Sequence, residues 1–174
     1  MTPSNTLPRS IAAKLAEVAN NPHEYAALVD LALIMEKGSA SSLGLVVSNY
    51  KISNSQDSET QLTVDQEEQL VERLLYILPT HPRKAEILFA IGKARPSTIW
   101  MSLVLQLKTL VLILDDFSQR QCLIAIENSL STERAAVTQE AFELVMYYLV
   151  QVEKLKNEEI SSLASTISEE LKLW

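Results

Sequence analysis

Apolar residues recur along this chain at steps of three and four. Leu70, Val71, Leu74, Leu75, Ile77 and Leu78 form one stripe, and Phe142, Val145, Leu149 and Val152 form a second. Ile160, Leu163, Ile167 and Leu171 form a third. This is the period of an α-helix that turns one face to a core. No long run alternates apolar and polar residues as a half-buried strand would. Residues that satisfy terminal backbone groups mark the helix ends. Asn21-Pro22-His23-Glu24 places an N-cap, a first-turn proline and a capping-box glutamate in order. Thr63 with Gln66 and Ser118 with Gln121 repeat the Ser/Thr-x-x-Gln pattern. Pro82 and Pro96 fit first turns, where the missing N–H costs nothing, and Gly38 fits a C-terminal stop. Together these signals predict helices over 7–19, 22–37, 64–79, 82–93, 97–114, 118–130, 135–155 and 158–173. A further one is expected near 40–49.

Most links between these segments have two to four residues, so consecutive helices must pack as antiparallel or steeply crossed neighbours. The predicted fold is all-α, a compact bundle of about eight or nine helices built from antiparallel pairs. A short HEAT-like α-solenoid is the alternative, but no internal repeat supports it. A chain of 174 residues is expected to form one domain, spanning 1–174. The polar run Ser53–Thr60 cannot bury itself. It is read as a flexible loop separating an N-terminal helical hairpin from the main bundle.

The most apolar stretch, Pro96 to Leu114, approaches the length of a bilayer crossing. Its uncharged run ends at Lys108, Asp115 and Asp116 follow, and no polybasic flank is present. On a regular helical wheel Thr98, Ser102, Gln106 and Thr109 share a narrow polar sector. Ile99, Trp100, Leu103, Val104, Leu107, Leu110, Val111 and Leu114 cover the rest. The expectation is a central helix of a soluble protein, with only that strip facing water and no membrane insertion.

Composition narrows the picture. Only three glycines occur in the chain, and helix formers dominate. The single Cys122 cannot make an internal disulfide and lies in an apolar helical run. It is read as a buried small hydrophobe in a reducing compartment. The N-terminal residues lack the apolar core of a signal peptide, so a cytoplasmic location is expected. A net charge of −7 argues against general nucleic-acid affinity.

Candidate chemistry is sparse. His23 and His81 belong to no metal-ligand pattern, and no phosphate-cradling glycine motif occurs. Ser48-Asn49-Tyr50-Lys51 matches Ser-x-x-Lys but lacks partner motifs. Asp115-Asp116 reads as capping, with Asp116 or Ser118 as N-cap. No catalytic, cofactor-binding or metal-ligating residue is assigned, and no cofactor is expected. Two surfaces stand out. Arg83, Lys84, Lys93 and Arg95 form a basic patch suited to an anion or an acidic partner. They lie within a segment, 81–100, that resembles a DNA-binding helix-turn-helix. Its second helix, however, offers Trp100, Met101, Leu103 and Val104 where base-reading side chains belong. Ile160, Leu163, Ile167, Leu171 and Trp174 form an amphipathic end that docks either on its own core or on a partner, including a second copy. The expected function is a non-enzymatic protein–protein interaction module: an adaptor, chaperone-like or regulatory subunit. A nucleic-acid-binding regulator using 81–100, or an enzyme whose site forms only in three dimensions, are the alternatives.

Overall fold

The computed structural model describes residues 7–21, 23, 25–42, 62–130 and 137–173. Among these the chain forms eight helices, with Pro96–Ile113 counted as one, and no strand, an all-α multi-helix bundle. The helix expected near 40–49, the loop 53–60, Pro22 and Glu24 of the first cap, and Trp174 lie outside the described residues.

Helix α1 (Arg9–Asn20) packs on α2 (Ala26–Ser42). Between them the Lys14 ammonium donates to the Asp30 carboxylate at 3.1 Å, with both side chains buried. Helix α2 runs past Gly38 to Ser42, so Gly38 is not its stop. Glycine permits a helix to end but does not force it, and its helical cost of about 1 kcal/mol is absorbed elsewhere.

Helix α3 (Val64–Ile77) starts with the predicted capping box. The Gln66 N–H donates to Thr63 Oγ1 at 3.2 Å, and the Thr63 N–H donates to Gln66 Oε1 at 3.0 Å. After a short 3-10 turn, α4 begins at Lys84 and ends at Ile91. Pro82 therefore precedes the helix instead of opening it. His81 accounts for the delay. Its Nδ1 accepts the Arg83 N–H at 3.0 Å, so its Nε2–H is the donor to the Val18 carbonyl at 3.0 Å. The buried ring thus ties the start of α4 to α1. At the other end of α4, a Cβ on Gly92 would come within 3.3 Å of the Ala125 Cβ. Glycine lets α4 approach α7 (Asp116–Ser129) closely.

From Pro96 to Ile113 the chain stays helical but changes pitch three times. It runs α5 (Pro96–Thr98), a π-helical turn (Ile99–Leu103), a 3-10 turn (Val104–Gln106) and α6 (Leu107–Ile113). A regular wheel fails here, because π and 3-10 turns hold more and fewer residues than an α turn. Gln106 and Thr109 are exposed as expected, but Thr98 and Ser102 are buried. Met101, Leu105 and Leu112 face outward in their place. Of the predicted inner set, Ile99, Trp100, Leu103, Val104, Leu107 and Leu110 are in the core, while Val111 and Leu114 are only partly buried against it. By length and composition only, Pro96–Ile113 could cross a membrane; 50% of it is buried inside the fold.

The N-cap of α7 is Asp115 instead of the expected Asp116 or Ser118, and its carboxylate accepts the Ser118 N–H at 2.8 Å. That bond holds the Asp115 carboxyl below its ordinary range. Helix α8 (Gln139–Glu153) is capped by Thr138 and α9 (Glu158–Leu171) by Asn157. Helix α4 touches α2, α3 and α7; α8 touches α6 and α9; α7 also reaches α9. The most extensive packing joins α4 to α7, across the whole Pro96–Ile113 helix in sequence. A solenoid would confine contacts to neighbouring repeats, so the bundle is the observed arrangement. One hydrophobic cluster extends from Ile11 in α1 to Leu171 in α9.

Candidate functional site

The sequence of α4, Lys84–Ile91, is apolar on all sides apart from Lys84 and Glu86. Packing against α3 and α7 buries most of it, and Phe89 remains 52% exposed. Helix α2 has the same excess. Leu28, Leu31, Ile34 and Met35 enter the core, while Tyr25 and Val29 remain 52% and 45% exposed. These leftover apolar positions meet. Tyr25, Leu28, Val29, Ala32, Leu33 and Glu36 form one wall of a groove, at helical spacing over about three turns. Glu86, Phe89, Ala90 and Lys93 form the other. The groove holds about 490 Å³.

The direction of the walls follows from Arg83. Its Nη2 donates to the His23 carbonyl at 3.1 Å, and its guanidinium lies 4.9 Å from the centre of the Tyr25 ring. The starts of α2 and α4 therefore lie side by side. Since the lining continues to Glu36 on one helix and Lys93 on the other, the two run in the same direction. At the starting end Arg83 reaches over the α2 side, and Glu86 stands on the α4 side, 3.4 Å from it. At the far end Glu36 stands on α2 and Lys93 on α4, the ammonium 4.8 Å over the Phe89 ring. An apolar floor edged by a few charged side chains, Glu36, Glu86 and Lys93, suits a polypeptide surface better than a small reacting molecule.

The four predicted basic residues do not act as one patch. The Arg95 guanidinium is paired with the buried Glu67 carboxylate and donates to the Leu62 carbonyl at 3.1 Å. Its N–H also donates to Glu67 at 2.7 Å. Burial pushes the Glu67 carboxyl up, and the Arg95 contacts oppose that shift only in part. Lys84 donates to the His81 carbonyl at 3.0 Å. Of the four, Lys93 lines the groove and Arg83 reaches over Tyr25 beside it. Trp100, Leu103 and Val104 of the helix-turn-helix resemblance lie in the core, with Met101 alone facing out. The terminal stripe is occupied in cis: Ile160, Ile167 and Leu171 are buried, Leu163 partly so, where α9 packs on α8 and α7.

No family model, curated protein or solved structure matches this chain.

Two further perturbed groups are enclosed in the core. Burial pushes the Cys122 thiol up to about 12, and the adjoining Tyr148 hydroxyl is also raised by burial. The Tyr148 hydroxyl donates to Gln119 Oε1. The Gln119 amide in turn donates to the Val111 carbonyl at 3.2 Å, near the end of α6. This network satisfies buried polar atoms and fastens α6, α7 and α8 together. Among the described residues, no three His, Cys, Asp or Glu side chains converge as metal ligands would.

Sequence reasoning missed Tyr25, Val29 and Phe89. The available signal was excess: both helices carry more apolar surface than one core-facing stripe can hide.

Proposed function

We propose that this chain is a non-enzymatic protein–protein interaction module, an adaptor or regulatory subunit, whose α2/α4 groove receives an apolar surface of a polypeptide. The observation that carries this reading is the half-exposed trio Tyr25, Val29 and Phe89 around one groove. Aromatic side chains left exposed together are costly in water and become anchors when a partner covers them. Supporting it, Cys122, Tyr148 and Glu67 are buried groups engaged by their own fold, and none of them lines the groove. The reading includes a cytoplasmic, reducing setting, in keeping with the single buried Cys122. It also treats Pro96–Ile113 as a core helix, since its most apolar face is buried within the bundle. Nucleic acid is not favoured as the partner, because Arg95 is held by Glu67 and the would-be recognition side chains are buried.

A photo-reactive residue placed at Val29 or at Phe89 in the native cell tests this. Discrete polypeptide adducts are expected from both positions and not from exposed Lys154. If neither groove position yields a polypeptide adduct, the interaction reading fails.

A further inference from the structure

We infer that the cleft between α3 and the π-helical turn binds a small organic amine in its cationic form. The inference is independent of the α2/α4 groove. The cleft holds about 310 Å³, within the range of small-molecule sites, about 300–1,000 Å³. Glu72 and Tyr76, one turn apart on α3, belong to one wall. Met101, Ser102, Leu105 and Gln106 belong to the other, which spans the π turn and the 3-10 turn after it. The change of pitch builds this second wall. On a regular helix Ser102 shares the water-facing strip with Gln106 and Thr109. Here it is only 6% exposed, yet it still lines the cleft. Its hydroxyl has no hydrogen-bond partner among the described residues. A buried hydroxyl left open to a cleft is available to whatever enters it. Turns of π type inside helices are frequent at functional sites.

The chemistry of the walls selects the ligand. Among the described residues Glu72 is the one charged side chain lining the cleft, and it makes no ion pair. Asp65 and Glu68 continue the negative charge along α3 at helical spacing, also without ion pairs among the described residues. The Glu68 carboxyl is raised, by burial first and then by the Asp65 and Glu72 charges. Arg73 lines a separate recess against α1. An anion is therefore repelled from the cleft and a cation drawn to it. The Glu72 carboxylate, the Ser102 and Tyr76 hydroxyl oxygens and the Gln106 amide oxygen all accept N–H groups. Tyr76 is 86% exposed and offers its ring to a cation. Met101 and Leu105 are half-exposed and give the ligand's apolar body a surface to cover. A protonated amine supplies charge, N–H donors and an apolar body at once.

Three probes share one apolar body and differ in charge: phenethylammonium, 2-phenylethanol and 3-phenylpropionate. Each is titrated into the full chain and followed by backbone-amide NMR. Phenethylammonium should give saturable shifts around Glu72–Tyr76 and Met101–Gln106, at least about tenfold tighter than the alcohol. The carboxylate should give none there. Glu72 is exposed, so Glu72→Gln should leave the fold intact and remove the preference for the cation. Ser102→Ala should weaken the amine at least about threefold. If circular dichroism shows that Ser102→Ala does not fold, Glu72→Gln decides alone. No saturable shift with the amine overturns the inference. So does equal binding of amine and alcohol, or unchanged amine affinity in either folded variant. Shifts confined to Tyr25, Val29 and Phe89 would place the amine in the α2/α4 groove and also overturn it. None of these results bears on the polypeptide adducts expected at Val29 and Phe89, so the two proposals fail separately.

Discussion

Leu107 and Leu112 lie on one helix, five residues apart, with opposite environments. Leu107 is 0% exposed and Leu112 is 83% exposed. Replacing Leu107 with Asp removes a fully buried side chain, for which Leu→Ala substitutions lose about 2.7–5 kcal/mol. It also places a carboxyl in an apolar site. Ionised, that group costs several kcal/mol more; neutral, it still gives up the difference between its shifted and ordinary pKa. The sum, about 5 kcal/mol or more, rivals the whole stability of a typical domain, about 5–15 kcal/mol. Leu112→Asp removes little buried area and adds a solvated charge, so a change within about 0.5 kcal/mol is expected. Urea titrations followed by circular dichroism should show Leu107→Asp unfolded or nearly so and Leu112→Asp close to wild type. A folded Leu107→Asp with an unchanged midpoint would refute the packing described for this helix. Equal damage from both substitutions, with loss of membrane association, would show instead that the whole helix is embedded in lipid.

Cys122 is 0% exposed and its thiol is pushed up to about 12, so an aromatic disulfide reagent should label it only as fast as the protein unfolds. Rapid labelling of the native protein would contradict this. Glu67 gives a pH signature. Its folded value lies above the ordinary 4.5, so its contribution is fully present below 4.5 and is lost as pH rises through the raised value. Stability of the wild type minus that of Glu67→Gln should therefore fall with rising pH across that window. A difference that is flat or rises with pH would mean that Arg95 outweighs burial.

Local signals in the sequence determined much of this protein. Helical period and capping chemistry act within a few residues, so Thr63 with Gln66 could be recognised without any tertiary knowledge. The same holds for the core face of Pro96–Ile113, where Ile99, Trp100, Leu103, Val104, Leu107 and Leu110 were all assignable. Where neighbours compete, local signals ran out. Asp115 and Asp116 are equally good caps by composition, and only the path of the chain selects Asp115. Thr98 and Ser102 could not be placed inside, because nothing local announces a π turn followed by a 3-10 turn. The terminal stripe from Ile160 to Leu171 was clear as a stripe, yet whether it met its own core or a partner depended on where α7 and α8 lay.

The candidate site was the least legible part. The cations Arg83, Lys84, Lys93 and Arg95 are near in sequence, but the fold sends Arg95 to Glu67, sets Arg83 over Tyr25 and places Lys93 over Phe89. The α2/α4 groove joins residues about sixty positions apart, Tyr25 with Arg83 and Val29 with Phe89. Sequence alone determined that these helices exist and that they carry surplus apolar surface. Only tertiary packing decided which of that surface stayed uncovered, because burial is a property of the neighbours a residue acquires and not of the residue itself.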